Sequence, residues 1–152
     1  MNIINHLESN SKKYPEKNAI IFENEKISYK ELYDRVQNFS LSISELNKEV
    51  ISLISENSIS FIIFYLGIIR SGNIVHIVPP EISETNLNNQ IKSSNSQLII
   101  CSENVFDKIL KFTKNNIPIL KISELEKQLE SKENNFKENQ IAHLIFTSGT
   151  TS

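Results

Sequence analysis

Six residues near the end of the chain, Thr147, Ser148, Gly149, Thr150, Thr151 and Ser152, combine five hydroxyls with one glycine and no charge. Hydroxyls donate hydrogen bonds without fixing a positive charge, and glycine lets the backbone approach an anion closely. Such a loop can turn backbone N–H groups and side-chain O–H groups toward a phosphate. Its residues are binders and not bases. Two related motifs are excluded by spacing. The G-x-x-x-x-G-K-[ST] phosphate loop needs a second glycine and a lysine after it, and neither is here. The G-x-S-x-G nucleophile elbow needs glycines two residues either side of its serine, where Ser148 has Phe146 and Thr150.

A loop of this kind works only when a rigid element aims it. The apolar run "IAHLIF" (141–146) reads as a strand that delivers the chain into Thr147. In open α/β sheets ligands bind beyond the carboxyl ends of the strands, so this placement suits a nucleotide.

Upstream, strand and helix alternate. Ser28 followed by Glu31 has the spacing of a capping box, and Leu32, Val36, Phe39, Ile43 and Leu46 recur at intervals of four and three. Together they predict an amphipathic helix opening at "SYKEL". Before it, "AIIFEN" and "KIS" predict a short hairpin around Asn24 and Glu25. After it come a buried strand at 49–55, an apolar helix from Ser58 to Ser71 ended by Gly72, and a strand at 73–78 stopped by Pro79 and Pro80. A helix at 84–94, the strand "QLIIC", a helix at 105–114, the strand "PILKI" and a helix over "SELEKQLES" complete the series. Near-continuous β-branched strands between helices predict βαβ units, hence an α/β fold with a mainly parallel sheet covered on both faces. Residues 130–140, charged and aperiodic, read as a solvated connection.

At 152 residues the chain has the size of one domain with a real core. A formal charge of −2 with interspersed signs offers no basic stripe for nucleic acid and no polybasic patch for a membrane surface. The single cysteine, Cys101, rules out an internal disulfide and reads as a buried strand residue. The longest apolar stretch, 59–69, is well short of the ~20 residues of a membrane-spanning helix. Nothing at the N-terminus has the form of a secretory signal, so cytoplasmic residence is expected. His76 and His143 sit within apolar strands with no second ligand at metal spacing and read as packed or pocket-lining residues. His143, just before the hydroxyl loop, is also placed for a nucleotide-adjacent role. Tyr29 and Tyr65 are expected to pack, and Arg70 to favour the C-terminal end of its helix.

Three stretches in order, "ISYKEL" (27–32), "GIIRSGNIVHIVPP" (67–80) and "AHLIFTSGTTS" (142–152), resemble core segments of the adenylate-forming enzymes. That superfamily includes acyl-CoA synthetases, peptide synthetase adenylation domains and luciferases. The third stretch resembles its phosphate loop, although that motif usually has glycine where this chain has Ser152. The resemblance implies that residues 1–152 are a partial N-terminal AMP-binding domain ending inside this motif, and that Thr147–Ser152 bind ATP phosphates. It implies ATP and Mg2+ as cofactors and a carboxylic acid as substrate. It also implies a thiol of CoA or of a carrier protein as acceptor. The adenine, ribose and acyl-pocket segments lie beyond residue 152, as does the C-terminal lysine that promotes adenylation, so no turnover is expected from this stretch alone. A non-catalytic remnant, or one subunit completed by a second chain, is the alternative. An unrelated flavodoxin-like binding domain would leave the three ordered stretches as coincidence.

Overall fold

Ser28 accepts a hydrogen bond from the Glu31 N–H at 3.2 Å and opens helix α2 (Tyr29–Ser42), as its spacing predicts. The other half of the expected box is not seen among the described residues, because the Glu31 carboxylate makes no bond back to the Ser28 N–H; it stands 4.0 Å from Arg35, one turn on. These observations come from a computed structural model that describes residues 2–46, 48–113 and 117–133.

Helix α1 (Ile3–Lys13) precedes the elements expected from the sequence and was not among them. Its signals are local: Asn2 accepts from Ile4 N–H at 2.8 Å, and Ile4, Leu7 and Ser11 share the buried face. Strands β1 (Asn18–Phe22) and β2 (Glu25–Ser28) form the expected antiparallel hairpin, with Glu23 turning through φ 52°. Helix α2 ends at Ser42, so Ile43 serves as its cap, yet it stays 2% exposed and continues the apolar stripe.

The four-stranded sheet comprises β3 (Val50–Ile54), β4 (Ile74–Val78), β5 (Ser96–Cys101) and β6 (Ile119–Lys121). All neighbours are parallel, in the order β4-β3-β5-β6. Helix α3 (Ile59–Arg70) links β3 to β4, α4 (Glu84–Ser94) links β4 to β5, and α5 (Glu103–Phe112) links β5 to β6. Helix α5 begins two residues before the expected Val105, because Ser102 takes the cap position. Helix α6 (Ile122–Glu133) runs into the stretch read as a connection.

Alternating side chains divide the core between the two faces of the sheet. Ile51, Leu53, Leu98 and Ile100 meet Phe39 of α2, Phe64 and Ile68 of α3, and Leu125 of α6. Ile54, Ile99 and Cys101 meet Leu87 and Ile91 of α4 and Val105 and Ile109 of α5. The step to β4 uses one face and the steps back across β3 use the other, as crossovers of a single hand require. Helix α1 adds a layer outside, with Ile4 and Leu7 against Leu32, Val36, Ile63 and Leu66. The α/β class and the parallel sheet with helices on both faces are therefore as expected.

Helix α3 closes by a Schellman motif at Gly72, whose φ of +83° disfavours any side chain. Asn73 N–H reaches Ile68 O at 3.2 Å and Gly72 N–H reaches Ile69 O at 3.1 Å. Among the described residues, no helix is long and apolar enough to cross a membrane.

Candidate functional site

Strands β3 and β5 lie side by side, but the chain leaves them in opposite directions across the sheet. Beyond their carboxyl ends is the crevice in which doubly wound sheets bind ligands. Ser102 N–H donates to Ile54 O at 3.0 Å and closes the floor of this crevice. Ser102 has the backbone of an N-cap but makes no side-chain bond to its own helix. Its hydroxyl instead donates to the Glu56 carboxylate at 2.6 Å. A carboxylate of the chain itself thus stands beside the start of α5, where a helix end favours an anion.

The neighbouring groups are paired in the same manner. The Glu103 carboxylate accepts from Ser123 Oγ at 2.8 Å and from Lys121 Nζ at 3.0 Å. These bonds, the serine's first and then the lysine's, hold Glu103 below its ordinary pKa. Lys121 is held above its ordinary value, chiefly by the bond to Glu103, and its ammonium lies 4.3 Å from the centre of the Phe106 ring. Glu124 approaches the same ammonium at 3.9 Å. Three carboxylates and one neutralised lysine make this edge unreceptive to a polyphosphate. Among the described residues, phosphate donors of the hydroxyl and glycine kind are not assembled here.

A second depression, about 350 Å3, lies between β2, α2, α3 and α6. Arg35, Ser60 and Glu126 cross it. The Glu126 carboxylate accepts from Arg35 at 2.8 Å and from Ser60 Oγ at 2.5 Å, so its charges satisfy one another and join three helices. No group of three or more His, Cys, Asp or Glu side chains among the described residues could hold a metal ion.

The residues assigned to phosphate binding from the sequence, Thr147, Ser148, Gly149, Thr150, Thr151 and Ser152, lie outside the described residues, as do "IAHLIF" and His143. His76 lies on β4 with its Nδ1 bonded to buried Ser52 at 2.9 Å, and burial lowers its pKa. Arg70 ends α3 and places its guanidinium over the Tyr33 ring at 5.1 Å. Tyr29 and Tyr65 are packed against the core as expected. Cys101 is fully buried and its thiol is pushed up to about 12, first by desolvation and then by the Glu103 charge. The Glu56–Ser102 contact and the Arg35–Ser60–Glu126 network were not anticipated. Glu56, Ser60 and Ser102 stand beside element ends, whereas Arg35 and Glu126 lie within helices, and nothing local in the sequence pairs them.

The profile of the family described as AMP-binding enzyme matches residues 7–152. Gramicidin S synthase 2 of Brevibacillus brevis is 29% identical over 143 residues, covering 91% of this chain and 3% of that protein. The crystal structure of VinN superposes with a TM-score of 0.80 at 20% identity, over 88% of this chain and 35% of that one. An artificially fused adenylation–PCP di-domain, NpsA–ThdA from Klebsiella oxytoca, gives 0.72 at 17% identity, over 84% of this chain and 24% of that one. The likeness to the two structures shows the fold. The chain spans a small part of each of these proteins.

Proposed function

Because this chain belongs to the AMP-binding enzyme family, we propose that it is the N-terminal part of an ATP-dependent, AMP-forming carboxylic acid ligase. The observation that carries the reading is the family match through residue 152, which takes in the hydroxyl and glycine loop. On this reading residues 1–152 are a partial AMP-binding domain, and Thr147, Ser148, Gly149, Thr150, Thr151 and Ser152 hold the phosphates of ATP. Binding of this kind works by positioning and by electrostatic stabilisation of the transferring group.

In the larger protein, a carboxylate oxygen attacks the α-phosphorus of Mg2+ATP and pyrophosphate departs. The acyl-adenylate then passes its acyl group to a thiol and AMP is released. The adenylation domain fused to a PCP in one structural neighbour favours a carrier-protein thiol over CoA as acceptor. A requirement for ATP fits a cytoplasmic location.

The test has two readings. Titrated with Mg2+ATP, the 152-residue chain is expected to bind, and Gly149→Val is expected to weaken binding at least ~10-fold, equivalent to about 1.4 kcal/mol. ATP–pyrophosphate exchange over a panel of acids is expected to be absent in the chain alone. Nucleotide binding indifferent to Gly149→Val would sink the loop assignment. Exchange by the chain alone would sink the reading of it as a part.

A further inference from the structure

Four polar side chains form a continuous seam on the α4 side of the sheet. Ser94 Oγ donates to Ile91 O at 3.3 Å and lies 2.8 Å from Ser96 Oγ. Ser96 Oγ lies 2.7 Å from Ser52 Oγ, which lies 2.9 Å from His76 Nδ1. Ser52 and Ser96 are 0% and 4% exposed, so neither hydroxyl can rely on water. The parallel register sets Ser52 opposite His76, and β4 is the outer strand among the described ones.

Each hydroxyl carries one proton, so the seam has a direction. If it ran toward His76, Ser94 would donate to Ser96, Ser96 to Ser52 and Ser52 to Nδ1. The imidazole proton would then sit on Nε2, which has no hydrogen-bond partner among the described residues. Run the other way, Nδ1–H donates to Ser52, Ser52 to Ser96, Ser96 to Ser94 and Ser94 to Ile91 O. Every proton then has an acceptor within the fold, one bond more than in the opposite direction.

We propose that the seam runs from His76 to Ile91, holding the imidazole as its Nδ1–H tautomer and presenting a bare Nε2 acceptor on the outer strand. The bond made by one ring nitrogen sets the state of the other. Such an Nε2 takes a neutral hydrogen-bond donor, an amide N–H or a hydroxyl, and addition of a proton at Nε2 leaves all four seam bonds in place. The proposal stands apart from the ligase reading.

Long-range 1H–15N correlation on the nitrogen-15-labelled chain distinguishes pyrrole-type from pyridine-type ring nitrogens. His76→Gln identifies the His76 signals among the 3 histidines. At neutral pH the expected pattern is pyrrole-type Nδ1 and pyridine-type Nε2. Ser52→Ala removes the acceptor of Nδ1–H and should shift the ring toward Nε2–H; Ser94→Ala should do so in part. An Nε2–H or averaged ring in the unmodified chain overturns the proposal. So does a ring that keeps its Nδ1–H pattern in Ser52→Ala.

Discussion

Gly67 of α3 lies so close to Phe39 of α2 that a Cβ on Gly67 would overlap Phe39 Cδ1 and stand 3.3 Å from Cε1. The ring has nowhere to retreat: Phe39 is 0% exposed and meets Phe64 edge-on at 4.5 Å. Gly67→Ala is therefore expected to cost about 1–3 kcal/mol, as overpacking of a dense core does. Urea unfolding should show a lower midpoint with an unchanged slope. Phe39→Leu in the same chain should recover part of the loss, since the two sites share one space. An alanine variant with the parental midpoint would show that the ring yields freely.

Asn73, 6% exposed, fastens the end of α3 to the entry of β3. Its Oδ1 accepts from Glu49 N–H at 3.0 Å, while its Nδ2 donates to Ser71 Oγ at 2.8 Å and Ile43 O at 3.3 Å. Asn73→Asp keeps the acceptor but turns a carboxylate oxygen toward the Ile43 carbonyl. A loss of roughly 1–3 kcal/mol at neutral pH is expected from the broken buried bonds and the unpaired charge. The loss should exceed that of Asn73→Ala and shrink on acidification toward the carboxyl pKa. Equal stability of Asp and Asn variants would disprove the assignment of donor and acceptor.

Arg35 and Glu126 tie α2 to α6, and their side chains are 26% and 23% exposed. Partial exposure screens the pair, so a double-mutant cycle of Arg35→Ala and Glu126→Ala should return a coupling of about 0.5–1 kcal/mol. Ser60→Ala should reduce that coupling, because its hydroxyl orients the same carboxylate. A coupling independent of Ser60 would separate the two contacts.

Cys101 shows how burial governs pH response. Its thiol is pushed up to about 12 from an ordinary 9.0. The unfolded chain therefore loses this proton at lower pH than the folded one. Cys101 contributes no pH dependence below about 9 and progressive destabilisation as pH rises from there toward 12. A Cys101→Ala variant should lack that component of the alkaline decline. The folded chain at pH about 8 should also resist a thiol-specific reagent that labels the urea-unfolded chain at once. Rapid labelling of the native chain would show an accessible thiolate.

Much of the fold was legible because its signals are short-ranged. Ser58 caps α3 by accepting from Phe61 N–H at 3.0 Å, and Ser83 caps α4 by accepting from Asn86 N–H at 3.4 Å. Helix α4 occupies the expected 84–94. Helix α1 escaped because it is polar on most positions and its buried face has only Ile4, Leu7 and Ser11 to announce it. The hydroxyl and glycine stretch at 147–152 reads as a motif in the sequence and lies outside the described residues. The crevice pair Glu56 and Ser102 was not legible, because the two residues are 46 positions apart and meet only when β3 and β5 become neighbours.

The sequence by itself determined where α2, α3 and α4 begin, the segments that form β1 to β6, and the family to which the order of motifs points. Caps, periodicity and Gly72 act within a few residues, so they need no knowledge of the rest of the chain. Only the tertiary structure decided the strand order β4-β3-β5-β6, and with it every long-range polar contact. Ser52 meets His76 across 24 positions and Ser96 across 44, and Arg35 meets Glu126 across 91. Such pairs are selected when separate apolar faces are buried together, which is a property of the whole fold and of no local stretch.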